Sequence, residues 1–128
     1  MPHRQQGSRK QGAQYNFHMT QEDRDAIVDA SNTLSQDGHR VSYIAVVNRL
    51  LYKLAADVDE HPVTAQERLD LPEVTQKHPL IGGIVPSDLI ESIPLLVKIA
   101  GVPGANSLVM LARRRYLEPG ADPASLPS

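Results

Sequence analysis

A chain of 128 residues has room for one modest core and at most one further small module. It contains no cysteine, which excludes disulfide frameworks, thiolate metal sites and cysteine nucleophiles. A formal charge of -2 argues against a nucleic-acid surface spread over the whole molecule, because phosphate binding draws on net positive charge and displaced counterions.

Charge and proline are unevenly placed. Residues 1–56 hold seven Lys/Arg against five Asp/Glu, and residues 57–128 hold six against ten, so the first part is net +2 and the second net -4. Nine of the ten prolines follow residue 60. These breaks divide the chain into a flexible basic arm over 1–13, an ordered unit over 14–56, an acidic Pro-containing linker over 57–79, a small helical region over 80–118 and a disordered tail over 119–128. No internal repeat is legible. The most apolar stretch, Leu80 to Ala112, is interrupted by Asp88, Glu91, Lys98 and three prolines, which is too broken for a membrane span. The polar N-terminus lacks the apolar core of a secretory leader, so a cytoplasmic location is expected.

The ordered unit opens on Gln14-Tyr15-Asn16-Phe17-His18-Met19, where polar and apolar residues alternate over six positions. That period predicts a strand with Tyr15, Phe17 and Met19 in a core and Gln14, Asn16 and His18 on the opposite face. Thr20 is placed to cap a helix beginning at Gln21, with Asp23 answering back to the Thr20 amide. Ile27, Ala30 or Ser31, and Leu34 form its inward stripe, and Gly38 is expected to end it. Ser42 caps a second helix over Tyr43 to about Ala56, apolar at Ile44, Val46, Val47, Leu50, Leu51 and Leu54. One strand and one short helix cannot cover so broad a face, and a lone strand leaves its backbone groups unpaired. Pairing two chains meets both needs, so the expectation is an obligate homodimer, or a pair of dimers, whose core holds Tyr15, Phe17, Met19, Ile27, Leu34, Val47 and Leu51.

This succession of strand, capped helix, Gly turn and second helix, over about residues 14–54, resembles the ribbon-helix-helix family of DNA-binding proteins, of the Arc and MetJ kind. The resemblance implies a mainly α fold in which one short strand per chain pairs between chains as a two-stranded antiparallel ribbon, with a helical C-terminal extension. It implies a sequence-specific double-stranded DNA-binding transcriptional regulator, in the first place a repressor on a palindromic operator, with Gln14, Asn16 and His18 at base edges in the major groove. Ser42 and Tyr43, with Arg40 beside them and Arg4, Arg9 and Lys10 on the arm, are the implied phosphate contacts. His18 stands where the family often has Lys or Arg, which makes contact there dependent on its protonation. The turn from Asp37 to Val41 is about two residues longer than the usual form.

The remaining features have plainer readings. Asp57, Asp59, Glu60 and His61 sit together beside Pro62, as a solvated linker does, and no metal or cofactor is expected. Arg113, Arg114 and Arg115 near the end of a last helix complement its dipole. No constellation supplies nucleophile, base and oxyanion donors, so an enzyme is not expected. The apolar content of residues 80–118 suggests a surface for oligomerisation or for a protein partner. That gives a second reading, a DNA-binding adaptor of the antitoxin or conjugation and partition kind.

Overall fold

The structure is a computed structural model and describes residues 12–36 and 38–127. The alternating segment forms strand β1, Ala13–His18, with Phe17 and Met19 buried and Tyr15 half-buried. Thr20 caps helix α1, Gln21–Leu34, its hydroxyl accepting from Asp23 N at 3.1 Å. The Asp23 carboxylate does not return to the Thr20 amide. It accepts the Thr20 hydroxyl at 2.6 Å and is otherwise engaged in the interior. Helix α1 also stops four residues before Gly38. Ser35 closes it, bonding Ser31 O through its own amide and Val41 through its hydroxyl, so the side chain satisfies loop backbone that glycine was expected to serve. Ser42 caps helix α2, Tyr43–Asp57, as the sequence predicts, accepting from Ala45 N at 3.2 Å.

A short helix α3, Ala65–Asp70, occupies the acidic segment that reads as linker, opened by a reciprocal capping box between Thr64 and Glu67. Leu80–Val85 then forms strand β2, helix α4 spans Ser87–Ala100, and helix α5 spans Ala105–Tyr116. Helix α4 runs through Pro94 without interruption, and α5 is capped by Gly104, with Ser107 buried inside its first turn. The tail carries a 3-10 turn at Pro123–Ser125, packed against α1, with Leu126 buried. Among the described residues no single helix is long and apolar enough to cross a membrane.

The ribbon forms inside one chain. β1 pairs antiparallel with β2, Ala13 opposite Val85 and His18 opposite Leu80, and Met19 N extends the pairing to Pro79 O at 3.0 Å. Where pairing between two chains was expected, β2 of the same chain supplies the hydrogen-bonding edge that β1 lacks. The region over 80–118 is not a helical extension but a second strand followed by two helices. The broad apolar face of α2 is covered by α5, α4 and β2. Phe17, Met19, Ile27, Val47 and Leu51 therefore share one core with Ile81, Val85, Leu89, Ile93, Leu96, Leu108 and Val109 of the same chain, and Tyr15 and Leu34 pack on its margin. The burial deficit that pointed to two chains is met within one.

A duplication appears that the residues did not display. A shift of 66 positions, Gln21 to Ser87, carries α1 onto α4, each 14 residues long. The same shift carries residues 14–18 of β1 onto residues 80–84 of β2. The second helices follow with a shift of 62, Tyr43 to Ala105. Contacts come in matching pairs, with α1 on α2 and α5, α4 on α5 and α2, α2 on β2 and α5 on β1. An approximate two-fold axis through the Asn16–Gly82 pair accounts for this pairing, since the register places those two residues opposite each other.

Candidate functional site

The ribbon has one face in the core and one in solvent, because side chains alternate along each strand and directly opposed residues share a face. Phe17, Ile81 and Val85 point inward. Gln14, Asn16 and His18 occupy the outer face, opposite Ile84, Gly82 and Leu80 respectively. The sequence reading put the first three on one exposed face, and the structure does the same: Gln14 and Asn16 are exposed and His18 is half-buried.

Their local bonding explains how they are held. The Gln14 amide donates to Asn16 Oδ1 at 3.3 Å, so the two amides form one polar strip. Gly82 makes the strip possible. A methyl group there would collide with Asn16 Oδ1 and come within 3.2 Å of Gln14 Nε2. His18 Nδ1 donates to the His78 carbonyl at 3.1 Å, which fixes the ring against the segment before β2. The His18 amide donates to Asn106 Oδ1 at 2.9 Å, tying the end of β1 to the first turn of α5. The opposite strand is fastened by the other unit, where Asn48 Nδ2 of α2 donates to Ile84 O at 3.0 Å.

The first turn of α2 lies beside this face. An open recess of about 330 Å³ is lined by Asn32, Arg40, Ser42, Tyr43 and Gly82, so helix start and ribbon centre share one concavity. Arg40 and Ser42 are exposed, and Tyr43 is 39% exposed. Arg24 stands over the Tyr43 ring at 5.6 Å and donates to Leu80 O at 3.2 Å, which brings a cation to the ribbon edge. Arg4, Arg9 and Lys10 lie outside the described residues.

The C-terminal arginines belong elsewhere. Arg113 and Arg114 meet Asp23, while Arg115 meets Glu67 at 2.6 Å and the His61 and Pro62 carbonyls at 2.8 and 3.0 Å. They are not an exposed dipole complement but a hub that fastens α1 and the segment around α3 to α5. Asp57 takes part, accepting from Tyr116 Oη at 2.6 Å and bonding His61 at 2.7 Å. Among the described residues no group of three or more His, Asp or Glu side chains is arranged to hold a metal ion.

Three outer-face residues escaped the sequence reading: Leu80, Gly82 and Ile84. In the run Leu80 to Val85 two adjacent glycines erase the period of two, and Ile81, Ile84 and Val85 were the strand signal left in it. No known protein family, curated protein or solved structure matches the chain.

Proposed function

We propose that the protein is a sequence-specific double-stranded DNA-binding regulator of ribbon-helix-helix type, in which one chain supplies both halves of the unit. The observation that carries the reading is the outer face of the ribbon. A two-stranded β-ribbon fits the B-DNA major groove, and Gln14 and Asn16 present the amide pattern that bonds adenine at N6 and N7. The recess beside it supports the same reading, because the free amides of a capped helix start, with Arg40 and Tyr43 next to them, suit a backbone phosphate. A regulator with this face represses by occupying promoter DNA. Residues 1–56, which supply β1 and the start of α2, carry a net +2, which reconciles the reading with an acidic chain.

The test is binding of the full chain to a pool of randomised duplexes across a salt series. Affinity is expected to fall steeply as salt rises, and Asn16→Ala is expected to erase the preference at one base pair while leaving salt-dependent binding. Salt-independent binding, or a preference unchanged by Asn16→Ala, overturns the proposal.

A protein contact is favoured by a second observation. Leu95 and Ile99 lie one turn apart on α4 and are 60% and 48% exposed, so the adaptor reading places a partner there. Leu95→Glu with Ile99→Glu is expected to abolish any co-purifying protein without altering DNA affinity. Retention of that protein by the double variant places its contact elsewhere.

A further inference from the structure

Two identical chains that pair their strands make a ribbon whose dyad presents every outer side chain twice, and such a ribbon reads a palindrome. This ribbon has a dyad in its backbone and none in its chemistry. The shift that carries α1 onto α4 relates Gln14 to Leu80, Asn16 to Gly82 and His18 to Ile84. At each of the three outer positions, a hydrogen-bonding group on β1 is matched by an alkyl group or a hydrogen atom on β2.

From this we infer that the chain reads a non-palindromic duplex as a single polypeptide, using polar contacts along β1 and thymine methyl contacts along β2. The inference rests on the DNA-binding reading above and specifies its target. Leu80 and Ile84 are 43% and 50% exposed on the same face as Gln14 and Asn16. In the major groove the base edges are donors and acceptors except for the thymine C5-methyl, so that methyl is the group two aliphatic side chains can select. Gly82 separates them and leaves room for the Asn16 amide at the ribbon centre.

The flanks break the symmetry in the same sense. The α2 start carries the Ser42 hydroxyl cap, and Arg40 and Tyr43 lie beside it. Its counterpart, the α5 start, is capped by Gly104 with no side-chain hydrogen bond. One end of the site is therefore anchored on phosphate more firmly than the other.

The experiment selects duplexes with the full chain from a pool randomised over about one and a half helical turns. It then measures stoichiometry and the effect of replacing thymine by uracil on each strand separately. The expected result is a non-palindromic consensus bound by one chain. Uracil replacement should weaken binding about fourfold per lost methyl on one strand and leave the other within about twofold. Leu80→Ala with Ile84→Ala, both at exposed positions, should abolish that strand difference while Gln14 and Asn16 still select their bases. A palindromic consensus bound by two chains, or equal uracil effects on the two strands, overturns the inference and leaves DNA binding standing. A strand difference that survives the double alanine variant also overturns it, and assigns the two alkyl groups to a protein surface. Binding with no base preference defeats the DNA-reading proposal itself.

Discussion

Arg113 Nε donates to Asp23 Oδ1 at 2.6 Å with both side chains buried, joining the first turn of α1 to the last turn of α5. Each charge lies at the helix end whose dipole favours it. Arg114 adds a second contact to the same carboxylate at 3.3 Å. The bond crosses between the two strand-helix-helix units, so it holds one against the other. Asp23→Ala leaves a buried guanidinium without its anion and is expected to cost about 3–5 kcal/mol, read from urea unfolding. A double variant, Asp23→Leu with Arg113→Met, is expected to recover most of that loss, because two apolar side chains avoid the stranded charge. Equal loss in both variants would show that the ion pair itself, rather than the stranded charge, supplies the stability.

Gly83 lets β2 pass close over α2. A Cβ at that position would lie 2.5 Å from Ile44 Cγ2 and 2.7 Å from Ile44 Cβ. Gly83→Ala is expected to destabilise the protein by about 1–3 kcal/mol through overpacking. Ile44→Ala in the same chain makes room for part of the new methyl, so the two changes together should cost less than their sum. A double-mutant cycle on thermal unfolding measures that coupling, and strict additivity would mean that the strand does not approach the helix there.

Acid should loosen the segment around α3. The hydrogen bonds from Arg115 hold the Glu67 carboxyl down at about 2, against an ordinary value of 4.5. Asp57 is also held below its usual range, first by the hydrogen bond from Tyr116 and then by His61 and Arg115. A carboxyl whose folded value is depressed contributes stability that is fully present above its unfolded value and is lost as pH falls towards the folded one. The loss attributable to Glu67 therefore falls between about pH 4.5 and pH 2. Glu67→Gln is expected to lower stability at neutral pH and to flatten the curve through that window. A variant curve parallel to that of the unaltered protein would remove Glu67 from the account.

On the ribbon, Gln14→Ala and Asn16→Ala are each expected to cost about 1–3 kcal/mol of discrimination at one base pair, measured by competition between matched and mismatched duplexes. Ser42→Ala should instead weaken all duplexes alike, because a helix start touches phosphate rather than bases. It should also cost about 1 kcal/mol of folding stability through loss of the cap on Ala45 N. A sequence-dependent effect of Ser42→Ala would contradict this division of labour.

The first unit was readable because its signals are local. Alternation from Gln14 to Met19 assigns faces without reference to any partner, and the Thr20 and Ser42 caps need only the backbone amides three residues on. Arg113 to Arg115 were not readable in the same way. Three cations at a helix end suit the dipole whether they are solvated or paired, and only Asp23, Glu67 and the Pro62 carbonyl, tens of residues away, decide between the two.

Sequence alone thus determined which side of β1 is polar, where α1 and α2 begin, and that α2 requires more cover than its own unit provides. The partner of β1 was decided only in the tertiary structure. Any extended segment offers the same donors and acceptors, so backbone hydrogen bonding favours a second copy and β2 equally. The choice comes from closing the chain through α1, α2 and α3, a loop-closure cost that grows only slowly with length, and from burying Ile81 and Val85 against Phe17 and α2 in return. With that pairing, three polar residues expected to occur twice on the ribbon occur once, opposite Leu80, Gly82 and Ile84.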